Sequence, residues 1–186
     1  MQGQLAAELE KLGDKQVSLL TTQFTNEYLD VYEKLAIPGG EAFTQIDTQT
    51  ARQMISQIWV ADGKTWSERI WTNTRVLKDV LNEELVKCVV NGKKTSDLKK
   101  LLQERFGVTY RQAETIVRTE TSHIQTQAAQ QRYKDYGITE VEVFADEDER
   151  RCETCGKLHK KRYPIGGAMP VPVHPNCRCT ILPVVE

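Results

Sequence analysis

The chain has 186 residues, 39% of them hydrophobic, with a formal net charge of −1 at pH 7. That length supports a buried core, and no apolar run is long enough to cross a bilayer. The balanced charge excludes a general nucleic-acid-coating protein, so any DNA contact has to come from a local basic patch.

Met1-Gln2-Gly3-Gln4 runs straight into a polar helical pattern with no secretory leader, so reduced thiols are expected. Leu5, Leu9, Leu12, Leu20, Phe24, Tyr28, Val31 and Leu35 recur at helical spacing, with Gly13-Asp14 as a candidate break and Pro38-Gly39-Gly40 as the end. A shorter helix is predicted from about Thr48 to Val60, before an Ala61-Asp62-Gly63 turn. Thr65 and Glu68 have the spacing of a reciprocal capping box, opening a helix with a stripe of Trp66, Ile70, Leu77, Leu81, Leu85 and Cys88. Asn91-Gly92 ends it. A short helix carrying Leu98, Leu101, Leu102 and Phe106 is expected to close at Gly107, and a second capping box, Thr109 to Gln112, to start a long helix to Tyr136.

After Gly137 the period shortens to two. Val141 and Val143 alternate with Glu140 and Glu142, which predicts a half-buried strand, with a partner strand from Ile181, Val184 and Val185. Between them Pro164 to Pro172 is too proline-rich for a helix. The fold class is therefore α+β: a mainly helical body followed by a small β/loop module. Three segments are expected: 1–60 and 62–137, both helical, and 138–186, the strand and loop module.

Four of the five cysteines fall in the last thirty-five residues, as Cys152-x2-Cys155 and His174-x2-Cys177-x-Cys179. Thiolate sulfur and imidazole nitrogen are the donors that structural zinc prefers, and Zn2+ takes four of them. A disulfide framework fits poorly, because the count is odd and Cys88 reads as an inert core thiol in a helix. A zinc ion tying the two ends of a long loop compensates for the small apolar burial available there. Five donors compete for four places. The favoured set is Cys152, Cys155, His174 and Cys177, with Cys179 replacing His174 in the second choice. His159 reads as exposed and His123 as a helix residue with its polar needs met.

In the last helix Ala113, Val117, Ile124 and Ala128 form the apolar stripe, and Glu120 sits where the stripe turns inward. An inward carboxylate needs a partner such as Arg118 or His123. It reads as a structural anchor; the catalytic reading makes it the general base of a zinc-dependent hydrolase or nuclease. Lys157, Lys160, Lys161 and Arg162 form the densest basic segment and are candidate contacts to double-stranded DNA, or else a counterweight to Asp146-Glu147-Asp148-Glu149.

Arg118-Thr119-Glu120-Thr121, the segment from Asp148 to Leu158 and the ending Pro172-Val173-His174-Pro175-Asn176-Cys177-Arg178-Cys179 resemble the phage head morphogenesis family, the minor capsid proteins that include the Mu F-like group. The resemblance covers roughly residues 62 to 185. It departs at His159-Lys160, where many relatives have Asp-Gly, so a different local turn is expected. It implies a virion or procapsid protein without catalysis, made in the bacterial host, that meets the portal inside the head and assists assembly, packaging or DNA delivery. A zinc-dependent nuclease and a zinc-knuckle nucleic-acid module are the competing expectations.

Overall fold

The computed structural model describes residues 2–35, 45–60, 62–90 and 95–185. In chain order the elements are α1 (Gln2–Lys34), α2 (Thr48–Ile55), α3 (Trp66–Val90), α4 (Thr95–Asp135), β1 (Glu140–Phe144), α5 (Glu153–Leu158), β2 (Arg162–Pro164) and β3 (Thr180–Pro183). They form two compact units. One comprises Met1–Leu20 with Ile58–Val117, the other Thr21–Gln57 with Arg118–Glu186. The predicted α+β class holds in its coarse form, a mainly helical chain with a small C-terminal sheet.

In the first unit Leu9, Leu77 and Leu81 form a buried cluster. The capping box at the start of α3 is reciprocal as expected: Thr65 N–H donates to Glu68 Oε2 at 2.7 Å and Glu68 N–H to Thr65 Oγ1 at 3.3 Å. Gly13 does not break α1. A Cβ built there would lie 2.6 Å from the Trp71 ring, so this glycine serves a close helix approach. Gly107 likewise does not end a helix, and Thr109 does not begin one. Thr109 Oγ1 donates to the Arg105 carbonyl one turn back, at 3.1 Å, inside a continuous α4. A threonine reads the same in a sequence whether it caps a helix or bonds back along it. The expected stops at Pro38-Gly39-Gly40, Ala61 and Asn91-Gly92, and the side chain of Cys88, lie outside the described residues.

In the second unit α2 starts as expected, with Asp47 accepting from Thr50 N–H at 2.7 Å, but ends at Ile55 rather than Val60. Phe24, Tyr28 and Tyr32 are buried along α1. Arg132 of α4 lies between the rings of Tyr32 and Tyr136, 4.8 and 4.7 Å from their centroids, and donates to the Leu35 carbonyl at 3.3 Å. The sheet has the order β2-β1-β3 and is antiparallel throughout, pairing Val141 with Tyr163 and Val143 with Ile181. Val141 and Val143 are fully buried with Ala129 and Tyr133 of α4, as their alternation predicts. β3 ends at Pro183, short of Val184 and Val185. Both β2 and α5 are too short to leave a period in the sequence. No described helix is long and apolar enough to cross a membrane.

Candidate metal centre

Two short stretches of chain deliver the cysteine and histidine side chains to one place. Cys152 caps α5, its sulfur accepting from Cys155 N–H at 3.4 Å, so a single turn aims both sulfurs the same way. The second half arrives on the loop before β3. There Asn176 takes a left-handed φ of 59°, a conformation asparagine tolerates, and its N–H donates to Thr119 Oγ1 of α4 at 3.0 Å. Arg178 points outward and forks onto Asp148 with N···O distances of 2.7 and 2.6 Å, adding Asp146 at 3.0 Å. With Arg178 clamped outward, its neighbours Cys177 and Cys179 are both buried.

The result is two donor triads that share Cys155: Cys152, Cys155 and His174, and Cys155, Cys177 and Cys179, with the ligand atoms of each within 4.8 Å of one another. His174 Nε2 lies 3.2 Å from both Cys152 and Cys155 sulfur, and the Cys155 and Cys177 sulfurs are 3.8 Å apart. His174 Nδ1 is 2.9 Å from the Pro175 carbonyl. A carbonyl only accepts, so Nδ1 carries the proton and Nε2 presents its lone pair to the sulfurs. This cluster could hold a metal ion.

The electrostatics divide the donors. Backbone N–H from Cys155, then His174, lowers the Cys152 thiol to about 7. Cys177 is also lowered; burial opposes this, but the N–H groups of Cys179 and Val173 aimed at its sulfur prevail. Burial pushes Cys155 up strongly and Cys179 up to about 11. His174 is raised, first by the Pro175 carbonyl. Two sulfurs thus sit where backbone dipoles favour the thiolate, and two sit where a cation is needed to make thiolates of them. The Arg178 fork holds Asp148 down to about 2.

The remaining expected residues are more dispersed. Glu120 faces inward as its spacing predicts, 2% exposed, while Arg118 is exposed. A cleft of about 40 Å³ beside the sulfurs is walled by Arg150, Arg151 and Arg178 with Cys152 and His174, and Glu120 is not among its lining residues. Lys157 pairs with Glu153 at 2.6 Å and Arg162 with Glu142 at 3.9 Å. Lys160 and Lys161 are exposed, with no ion pair among the described residues. His159 is not the exposed residue its polar neighbours suggest. Its side chain is 10% exposed, Nδ1 accepts from Ala145 N–H at 3.1 Å, and Nε2 faces Glu147 Oε1 at 3.1 Å. Sequence reasoning missed Thr119, the neighbour of Glu120 that makes the bond to the ligand loop, and the Arg178–Asp148 clamp, whose partners are thirty residues apart.

No curated protein and no solved structure matches the chain. The family model described as phage Mu protein F-like matches residues 79–182, more than half of the chain. That match takes in the Thr119 anchor, the sheet up to Leu182, the Arg178 clamp and all five soft donors, and the chain belongs to the phage Mu protein F-like family.

Proposed function

We propose that the protein is a non-catalytic minor head protein of a phage or prophage, working in the virion or procapsid, where it associates with the portal and assists head assembly, DNA packaging or DNA delivery. Family membership supports the head-morphogenesis reading. Within it, segment 62–137 is the helical core of the family domain, 138–186 its metal-stapled module, and 1–60 a preceding helical region.

The observation that carries this reading is the pair of soft-donor triads meeting at Cys155. We assign the ion as structural Zn2+, held by four of Cys152, Cys155, His174, Cys177 and Cys179. Zn–S bonds of about 2.3 Å set sulfur–sulfur edges of about 3.8 Å in a tetrahedron, the separation found between Cys155 and Cys177. Catalytic zinc keeps one place for water, whereas here there are more protein donors than places. The ion cross-links; the chain's own residues hold α5, the loop and β3 together around it. Glu120 and Arg118 act in this reading as structural polar groups of α4. Lys160 and Lys161, exposed and without carboxylate partners among the described residues, support a local contact to double-stranded DNA, with Lys157 and Arg162 beside them.

Co-expression with the portal protein of the same phage or prophage tests the partner. The full chain should co-purify with it in stoichiometric amount, and the Cys155→Ser variant should not. Failure of the wild-type chain to associate with portal or procapsid contradicts the reading. For DNA, retention on a duplex column should weaken and its salt slope flatten when Lys160 and Lys161 are both changed to Glu. Unchanged retention removes DNA contact from the proposal.

A further inference from the structure

Five donors crowd a site that needs four, and their arrangement says how the surplus is resolved. We infer that Cys152, Cys155 and Cys177 are constant ligands and that His174 and Cys179 are interchangeable in the fourth place, so that one ion can sit in either a three-sulfur, one-nitrogen shell or a four-sulfur shell. The inference rests on the proposed zinc reading and goes beyond it by giving Cys179 a role as reserve ligand.

Cys155 belongs to both triads, with Cys152 and His174 beside it in one and Cys177 and Cys179 in the other, which makes it the donor common to both. On one side His174 Nε2 is 3.2 Å from Cys155 and from Cys152; on the other, Cys177 and Cys179 lie with Cys155 in an all-sulfur group. Residues two apart share a face in a chain of alternating sense, but Cys177 and Cys179 are also both buried here, at 4% and 5% exposure, because Arg178 between them is clamped outward on Asp148. The clamp and the Asn176–Thr119 bond involve neither sulfur, so Cys179 stays beside the ion whichever group fills the fourth place. His174 is the more exposed of the two alternates. Exchange of its imidazole for a thiolate makes the shell one charge more negative. Arg150 and Arg151 line the same cleft beside Arg178, which is already paired with Asp148 and Asp146, so added negative charge there meets a partly compensated basic wall.

The test uses the full chain loaded with Co2+ or Zn2+ under reducing conditions. Wild type, His174→Ala, Cys179→Ser, the double variant and Cys155→Ser are compared by metal content and by the thiolate-to-cobalt charge-transfer absorption, which grows with the number of bound thiolates. Wild type, His174→Ala and Cys179→Ser should each hold one ion per chain. Only His174→Ala should gain charge-transfer intensity over wild type, by up to the ratio of four thiolates to three. The double variant and Cys155→Ser should lose the ion. A metal-free His174→Ala chain, an intensity unchanged from wild type, a double variant still fully loaded, or two ions per wild-type chain overturns the inference while leaving a metal site in place. A wild-type chain that binds no ion overturns the zinc reading itself.

Discussion

Asn176 donates its backbone N–H to the hydroxyl of Thr119 across 3.0 Å, which ties the loop carrying His174, Cys177 and Cys179 to the long helix α4. Thr119 is 7% exposed while Asn176 is exposed, so the bond is partly sheltered from water. It is a direct link between the Arg118–Thr121 motif and the donor cluster, and it gives that motif a mechanical purpose. Thr119→Val keeps the shape and removes the acceptor. The lost hydrogen bond should cost about 0.5–1.5 kcal/mol, and metal affinity should fall about ten- to a hundredfold, as when an outer support of a ligand is lost. Chelator competition measures this, and Thr119→Ser should restore most of it. A Thr119→Val chain with wild-type affinity would remove the proposed support.

Lys160 adopts a φ of 62°, in the left-handed region that favours glycine, while its N–H donates to the Val143 carbonyl at 2.8 Å. The strain of a side chain there is on the order of 1 kcal/mol. Lys160→Gly should therefore stabilise the second unit slightly, by at most about 0.5 kcal/mol after the added freedom of the unfolded chain is subtracted. Urea unfolding followed by the far-UV signal reads the change. A destabilised variant would mean that the lysine side chain contributes more than its backbone costs.

Gly13 presents the opposite case. Alanine for glycine inside a helix ordinarily gains about 1 kcal/mol. Here the new Cβ meets the Trp71 ring at 2.6 Å, and overpacking costs about 1–3 kcal/mol. Gly13→Ala should lower the melting temperature and shift tryptophan fluorescence, and pairing it with Trp71→Leu should remove most of the penalty. An unaltered or raised melting temperature in the single variant contradicts the close approach.

His123 is lowered from its ordinary value of 6.5 to about 4, by burial. The folded state thus resists protonation that the unfolded chain accepts. Stability is full above about 6.5, falls as the pH drops from there toward 4, and levels off below, with a total on the order of 3 kcal/mol at 1.36 kcal/mol for each pKa unit. Denaturation midpoints of wild type and His123→Gln across this range, both with metal removed, should converge as the pH falls. Parallel curves would show that His123 takes no part in the pH response.

The parts of the fold that were legible in the sequence are those where several local signals agree. The reciprocal Thr65–Glu68 cap, the inward spacing of Glu120 and the alternation of Val141 and Val143 all appear in the structure as read. Misreadings came where one residue type serves two physical ends. Gly13 and Gly107 resemble helix stops, yet one makes room for a tryptophan and the other lies within a helix carried by its flanking turns. Cysteine spacing revealed the donors, but their grouping into two triads depends on long-range contacts that spacing does not encode. Thr119 and Arg178 were invisible as functional residues for the same reason: each acts on a partner brought near only by the sheet and loop.

The most direct test is the metal content of freshly purified, fully reduced protein together with protease resistance of residues 145–183. The account predicts one zinc per chain and a resistant module, with both lost on Cys155→Ser while the helical signal persists. A metal-free wild-type chain whose C-terminal module is still folded and resistant would contradict it.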